Sequence, residues 1–159
     1  MRSEVFICNQ ALSLLGKGQI TSLDDPDDKA EWMRLNYPEI RDALIEKDLW
    51  SFALARSSST TADRDEWDQM YKHRIPSDWL AVLRVFDTVT RPELMVVSEG
   101  WSREGEFILT YEPEAYLWGV ISISDTGKFS SLFTQALIAR LALAAAITFT
   151  EKSSHLTRL

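Results

Sequence analysis

Residues 129–149 read FSSLFTQALIARLALAAAITF, an apolar run whose hydrophobic side chains fall on every side of a helix. One stripe contains Phe133 and Leu137, and a second contains Ile138 and Ala145. We therefore expect this helix to be buried all round. Three structures would bury it: a membrane span, the central core helix of one chain, or a helix shared between that core and a neighbouring subunit.

Two polar residues argue against the membrane span. A span needs about 20 mostly apolar residues, but Gln135 and Arg140 lie inside this run. An arginine at the middle of a bilayer costs roughly 2.5 to 3.5 kcal/mol on insertion scales. The small side chains of Ala142 and Ala145 instead indicate that another backbone packs closely against this helix. We expect no membrane partner.

Composition restricts the class of protein. The 159 residues suffice for one domain with a sizeable core. Seventeen Lys and Arg against 24 Asp and Glu give a formal net charge of -7, which argues against tight nucleic-acid binding. The single cysteine, Cys8, is expected in the core, and its isolation favours a reducing compartment. We recognise no export signal at the N-terminus, so we expect synthesis and folding in the cytoplasm.

The first half of the chain has helical spacing. Ser3 is placed to cap a first helix, and Gly16 stands where a left-handed residue would end it. A second helix is expected after the acidic segment 24–28, with Asp25 as its cap and Pro26 in its first turn. Pro38 interrupts the apolar stripe, which predicts either one kinked helix or two abutting helices.

The middle of the chain changes from helical to strand spacing. Residues 57–64 read SSSTTADR, a composition that predicts a mobile loop. The next part, residues 66–124, contains short runs of aromatic and β-branched residues separated by Gly and Pro, which predict one small antiparallel sheet. These runs cover residues 79–86, 94–97, 106–111 and 116–123.

The predicted fold class is α+β. A helical bundle formed by residues 3–55 and 129–153 is built on the long C-terminal hydrophobic helix. The β part at residues 66–124 is inserted between the N-terminal helices and that helix. Residues 1–159 are expected to form a single domain.

No pattern for catalysis, for a cofactor or for a metal is recognised. The acidic segment 24–28 lacks the glycine and glutamate positions of a calcium loop, so helix capping explains it better. The two histidines are far apart, and His73 is expected on the surface. Glu104 and Glu112 could in principle serve glycan hydrolysis, although carboxylates near turns more often only face solvent.

Four tryptophans could form an aromatic platform for bases or sugars: Trp67, Trp79, Trp101 and Trp118. Because Lys and Arg are not interleaved with them, base stacking is weakly supported. Two of the four are expected in the core. Trp101, at a predicted turn, is expected to be an exposed contact for a protein partner.

Several stretches, taken in order, resemble the tail tubular protein A family, the head-to-tail adaptors of short-tailed bacteriophages. They are CNQALSLLGKGQITSLDDPDDKAEWMRLNYPEIRDALIEKDLWSFALAR at residues 8–56, HRIPSDWLAVLRVF at residues 73–86 and FSSLFTQALIARLALAAAIT at residues 129–148. Residues 63–71 and 88–118 match only by pattern. The family-motif residues with expected structural roles are Trp50, Phe52, Pro76 and Asp78.

The resemblance implies a structural protein of the virion neck, with no catalytic activity, cofactor or metal. Its partners would be further copies of itself in a ring, usually a dodecamer, the portal protein, and a tail nozzle of the tail tubular protein B type. DNA would pass through the ring without sequence-specific binding. We expect the helical part in the ring wall and the β part facing a partner. The interface candidates are Trp101, Trp118, Arg140, Ala142 and Ala145.

Two alternatives stay open at this point. One is a tail-associated glycan hydrolase that uses Glu104 and Glu112. The other is a chaperone or host-binding module outside the virion that presents Trp101 to its target.

Overall fold

The computed structural model describes residues 2–86 and 100–156, and the side chains of the last helix up to residue 149. This part of the chain is a mixture of helices and antiparallel strands, which confirms the α+β class. The elements in chain order are α1 (Glu4–Leu14), α2 (Asp28–Lys47), β1 (Leu54–Thr60), β2 (Tyr71–Arg74), β3 (Trp79–Phe86), β4 (Ser102–Glu104), β5 (Phe107–Thr110), β6 (Glu114–Ile121) and α3 (Ser131–Leu156).

The chain divides into two compact units. The helical unit comprises Met1–Phe52 and Ile123–Leu159, and the β unit comprises Ala53–Ser122. The β unit therefore begins well before residue 66. The loop predicted at residues 57–64 is wrong for its first half, because β1 continues to Thr60 and pairs with β6 along its whole length. The Ser and Thr side chains of β1 do not alternate between apolar and polar, so the sequence did not indicate a strand. Every second residue of β1 is nevertheless partly buried.

Local capping sets the ends of the first helix. The Ser3 hydroxyl accepts a hydrogen bond from the backbone N–H of Phe6 at 3.1 Å, and Gly16 has φ +64°, as predicted. Asn9 then fixes the chain that follows. Its side chain donates to the carbonyl of Ile20 and accepts from the backbone N–H of Ile20, both at 2.9 Å.

The second helix begins two residues later than expected. Asp27, not Asp25, is its N-cap and accepts from the backbone N–H of Lys29 at 2.6 Å. Asp25 instead accepts from the backbone N–H groups of Thr21 and Ser22, at 2.7 Å and 3.2 Å. Pro38 lies inside the single helix α2, so the alternative of two abutting helices is wrong.

The core of the helical unit lies against one side of α3. The buried side chains of α3 include Phe133, Leu137 and Leu141, and α3 contacts both α1 and α2. The first residues of α1 and α3 lie side by side, since the Arg2 guanidinium donates to the Ser131 hydroxyl at 3.1 Å. The apolar run of α3 therefore contacts both N-terminal helices.

Two three-stranded antiparallel sheets make up the described part of the β unit. The strand orders are β1-β6-β3 and β2-β5-β4. The predictions at residues 79–86, 106–111 and 116–123 are confirmed as strands, whereas residues 94–97 lie outside the described residues. The prediction of a single sheet was wrong. Alternation of apolar and polar residues identifies strands but does not indicate which strands pair.

Trp79 anchors the core of the β unit. Its ring lies against Gly119 of β6, where an added Cβ would collide with the ring and with the carbonyl oxygen of Ala81. A side chain at position 119 would therefore force β3 and β6 apart. The remaining buried members of this core are Ile75, Val85, Ile108, Ala115 and Leu117.

His73 was expected on the surface and is fully buried on β2. Its Nδ1 lies 3.0 Å from Ser59 Oγ, and its Nε2 lies 3.0 Å from Thr110 Oγ1 and 3.1 Å from the carbonyl oxygen of Glu112. The charged neighbours Lys72 and Arg74 suggested that the segment lies on the surface. Successive side chains of a strand point to opposite faces, however, so a buried residue can lie between two charged ones.

Candidate interaction surfaces

The side of α3 opposite its core face is apolar and exposed. Leu132, Leu143 and Ile147 are 68%, 62% and 63% exposed. Their spacing of eleven and four residues places them in one stripe along the helix. The expectation that this helix is buried all round is therefore wrong for a single chain, because α1 and α2 cover only one side of it. We call these three residues the α3 stripe.

The α3 stripe borders an open groove between α2 and α3. Ile40 and Ala43 line it from α2, while Leu143, Ala144 and Ile147 line it from α3. The walls are apolar except for two charged side chains. Because Ala43 and Ala144 have small side chains, the groove between α2 and α3 has room for a side chain of another protein.

Arg140 and Glu39 are the two charged residues of this groove. Arg140 is exposed, and no ion pair in the described part of the chain includes it. An exposed cation at the edge of an apolar groove can pair with a carboxylate of a second protein. The structure thus places Arg140, an interface candidate from the sequence, on a surface that a partner can reach.

Ala142 and Ala145 do not lie on that surface. They are buried in the helical unit itself, with 7% and no exposure respectively. Their small side chains do mark close packing, but within one chain rather than between chains. Their assignment to an interface between subunits stays a prediction.

Helix α3 has the length and composition of a candidate membrane span. Among the described residues, one helical stretch, Ser131–Phe149, is long and apolar enough to cross a membrane by those two criteria. Core helices meet the same criteria. Thr134 and Phe133 of this stretch are buried in the helical unit.

The tryptophans of the β unit differ in exposure from what the sequence suggested. Trp101 and Trp118 are half-buried. Trp101 packs against the core of the β unit. The Arg84 guanidinium lies 5.4 Å from the centre of the Trp118 ring. Trp67 is the exposed one, at 95%. Trp79 is in the core, so one of the two expected core tryptophans is found and Trp101 is not the exposed contact.

A sequence signal for Trp67 did exist. The residue follows Asp65 and Glu66 and precedes Asp68, and a tryptophan among carboxylates has no apolar neighbour with which to share a core. The acidic flanks of Trp67 were therefore a better indication of exposure than the predicted turn at Trp101.

The family-motif residues make contacts within their own units. Trp50 donates its indole N–H to the carbonyl of Leu44 at 3.0 Å and packs edge-on against Phe133. Phe52 also packs on Phe133, with 4.9 Å between ring centres. In the β unit, the carbonyls of Pro76 and Asp78 accept from the backbone N–H groups of Trp79 and Ser122, at 3.1 Å and 2.7 Å. These are structural roles.

Candidate catalytic carboxylates are not brought together. Glu104 ends β4 and pairs with Phe107 at the start of β5, while Glu112 follows the end of β5. The described residues contain no group of three or more His, Cys, Asp or Glu able to hold a metal ion. In the acidic segment, backbone N–H donors lower the pKa of Asp25 and of Asp27, as expected for carboxylates that accept hydrogen bonds.

No protein-family model matches this chain, and no curated protein has significant sequence similarity to it.

Proposed function

We propose that this chain is a structural protein of a short-tailed bacteriophage, a head-to-tail adaptor of the tail tubular protein A type. It would assemble as a ring, usually of twelve copies, between the portal and the tail nozzle, and be incorporated into the virion after synthesis in the host cytoplasm. DNA would pass through the ring. The chain would act by assembly alone, with no catalytic step.

The observation that carries this proposal is the α3 stripe with its groove. Exposed apolar side chains on one face of a helix are costly in an isolated protein and mark a surface that another protein covers. In the proposed ring, the helical unit is a bundle built on α3, and a neighbouring subunit covers the side of α3 that α1 and α2 leave open. Arg140 would pair with a carboxylate of that neighbour.

The charge of the chain supports the proposed passage of DNA. A formal net charge of -7 on each copy repels a phosphate backbone rather than binding it. A channel wall that held DNA by many cations would slow its ejection. The acidic balance therefore suits a conduit better than a nucleic-acid binding protein.

A substitution in the α3 stripe tests the proposal. Changing Leu143→Gln makes the middle of the stripe polar and should weaken incorporation into a large complex with the portal protein encoded by the same genome. Leu14→Gln is the matched control, because Leu14 is 67% exposed on α1, away from the groove. Sedimentation of each mixture measures the fraction assembled.

We expect wild type and Leu14→Gln to assemble equally and Leu143→Gln to remain largely free. Equal assembly of all three proteins would show that the α3 stripe is not an assembly surface, and the stripe would no longer support the proposal. Circular dichroism of the variants separates loss of assembly from loss of folding.

A further inference from the structure

Trp67 is presented at the tip of an ordered loop between β1 and β2. The backbone N–H of Asp65 donates to the carbonyl of Met70 at 2.8 Å, and the Asp65 carboxylate accepts from the backbone N–H of Trp67 at 2.8 Å. Gln69 has φ +62° and donates its backbone N–H to the carbonyl of Asp65 at 3.0 Å. A fixed backbone that holds a tryptophan 95% exposed loses little conformational entropy when a partner binds it.

The loop around Trp67 is acidic. Asp63, Glu66 and Asp68 are exposed beside it. The one cation of the loop, Arg64, is already engaged: its guanidinium hydrogen-bonds the Tyr71 hydroxyl and lies 4.4 Å from the centre of the Tyr71 ring. The surface that suits this loop is an apolar pocket with cations at its edge.

A pocket of that description lies at the opposite end of β2. Ile75, Pro76 and Trp79 supply its apolar lining. Two cations, Arg74 and Arg103, and one carboxylate, Glu106, also line it. Arg74 is paired with Glu106 at 2.7 Å, whereas no ion pair among residues 2–86 and 100–149 includes Arg103. Its hydrogen bonds, to the carbonyls of Gly105 and Leu80, are long at 3.4 Å and 3.5 Å. Arg103 can therefore stack on an incoming indole and pair with a carboxylate.

The two features cannot meet within one β unit. They flank β2, whose four residues span roughly 13 Å at about 3.3 Å per residue, with the loop beyond one end and the pocket beyond the other. We propose that Trp67 of one copy inserts into the pocket formed by Ile75, Pro76, Trp79 and Arg103 of the next copy. This inference rests on the self-assembly proposed above. It specifies one head-to-tail contact between neighbouring copies.

Two different complementary surfaces on one chain make a heterologous contact. Such a contact repeats from copy to copy and closes into a ring when its rotation divides a full turn. A tryptophan seated in a pocket beside an arginine has the composition of an interface hot spot. The contact would place the β units of neighbouring copies in series, with the charge of Glu66 opposite that of Arg103.

Directed cross-linking tests the contact. One preparation carries Glu66→Cys and the other carries Ser77→Cys, an exposed residue that lines the pocket. The two are mixed with the portal protein of the same genome under mild oxidation. We expect disulfide-linked pairs that contain one copy of each variant. A preparation with Ser58→Cys, exposed on β1 and outside the pocket, replaces Ser77→Cys as the matched control and should give few such pairs.

Charge exchange gives a second readout. Trp67→Ala and Arg103→Glu should each weaken assembly about ten-fold or more, and the double variant Glu66→Lys with Arg103→Glu should recover most of the loss. Tyr111→Ala, a change at a 69% exposed aromatic in the same unit, should leave assembly unchanged.

The outcomes separate the two proposals. The contact would be overturned if Trp67→Ala formed normal rings and if Glu66→Cys cross-linked equally to Ser77→Cys and to Ser58→Cys. The proposed adaptor function would not be affected by that result. Rings that form but no longer bind the portal would assign Trp67 to the portal and also overturn the contact. A wild-type protein that stays monomeric with the portal would overturn both.

Discussion

His73 joins the two sheets of the β unit through Ser59: its Nδ1 on β2 lies 3.0 Å from the Ser59 hydroxyl on β1. The other ring nitrogen is within 3.1 Å of the carbonyl oxygen of Glu112, which can only accept. Nε2 therefore carries a proton and donates to that carbonyl, and in the neutral ring Nδ1 accepts from the Ser59 hydroxyl. One buried side chain thus satisfies groups from three segments.

Replacing His73→Phe should destabilise the protein. The ring keeps its approximate size, but the half-buried Ser59 hydroxyl loses its partner, and a lost hydrogen bond costs about 0.5 to 1.5 kcal/mol. Chemical denaturation followed by tryptophan fluorescence measures the change in the free energy of unfolding. Ser58→Ala, at the exposed neighbour of Ser59, is the control and should change stability by less than about 0.5 kcal/mol. A His73→Phe protein as stable as wild type would show that the link is dispensable.

Tyr37→Phe should leave the helical unit as stable as wild type or more stable. Tyr37 is buried in α2, and its hydroxyl has no hydrogen-bond partner among the described residues. Burial, followed by the charge of Glu4, raises the pKa of this hydroxyl, so it stays protonated at ordinary pH. Removing an unsatisfied hydroxyl removes its desolvation cost. A melting temperature several degrees below that of wild type would indicate that the hydroxyl is bonded in solution.

Cys8 should be unreactive in the folded protein. Burial, with a smaller contribution from Glu4, raises the pKa of its thiol from 9.0 to about 12, and the thiolate is the reactive form. Iodoacetamide at pH 8 should modify the chain only after unfolding in guanidinium, as measured by intact mass. Rapid modification of the native protein would contradict this placement.

The same shift has a consequence for alkaline stability. The unfolded thiol ionises near pH 9 while the folded thiol keeps its proton up to about 12. The folded state therefore binds more protons in that window, and the contribution of Cys8 to stability falls as the pH rises from 9 towards 12. Cys8→Ala should remove that part of the alkaline loss.

Helical spacing and capping residues were sufficient to predict α1 and α3, because Ser3, Gly16 and the run from Phe129 give strong local signals. Strand β1 was not predictable in the same way. Its Ser and Thr residues have no apolar alternation, and pairing with β6, which is distant in sequence, decides their conformation.

The surfaces were harder to predict than the elements. Composition indicated that α3 needed cover on all sides, but only the packed structure separates buried Ala142 from exposed Leu143, its direct neighbour. Likewise, Trp67 and Trp79 are the same residue type, and long-range contacts decide which one enters the core.

We propose that this chain assembles around DNA between a portal and a tail. The most direct measurement is electron microscopy, with sedimentation, of the wild-type protein mixed with the portal protein encoded by the same genome. We expect a large cyclic complex in which copies of this chain form a ring on the portal. A protein that remains monomeric and shows no affinity for the portal would contradict it.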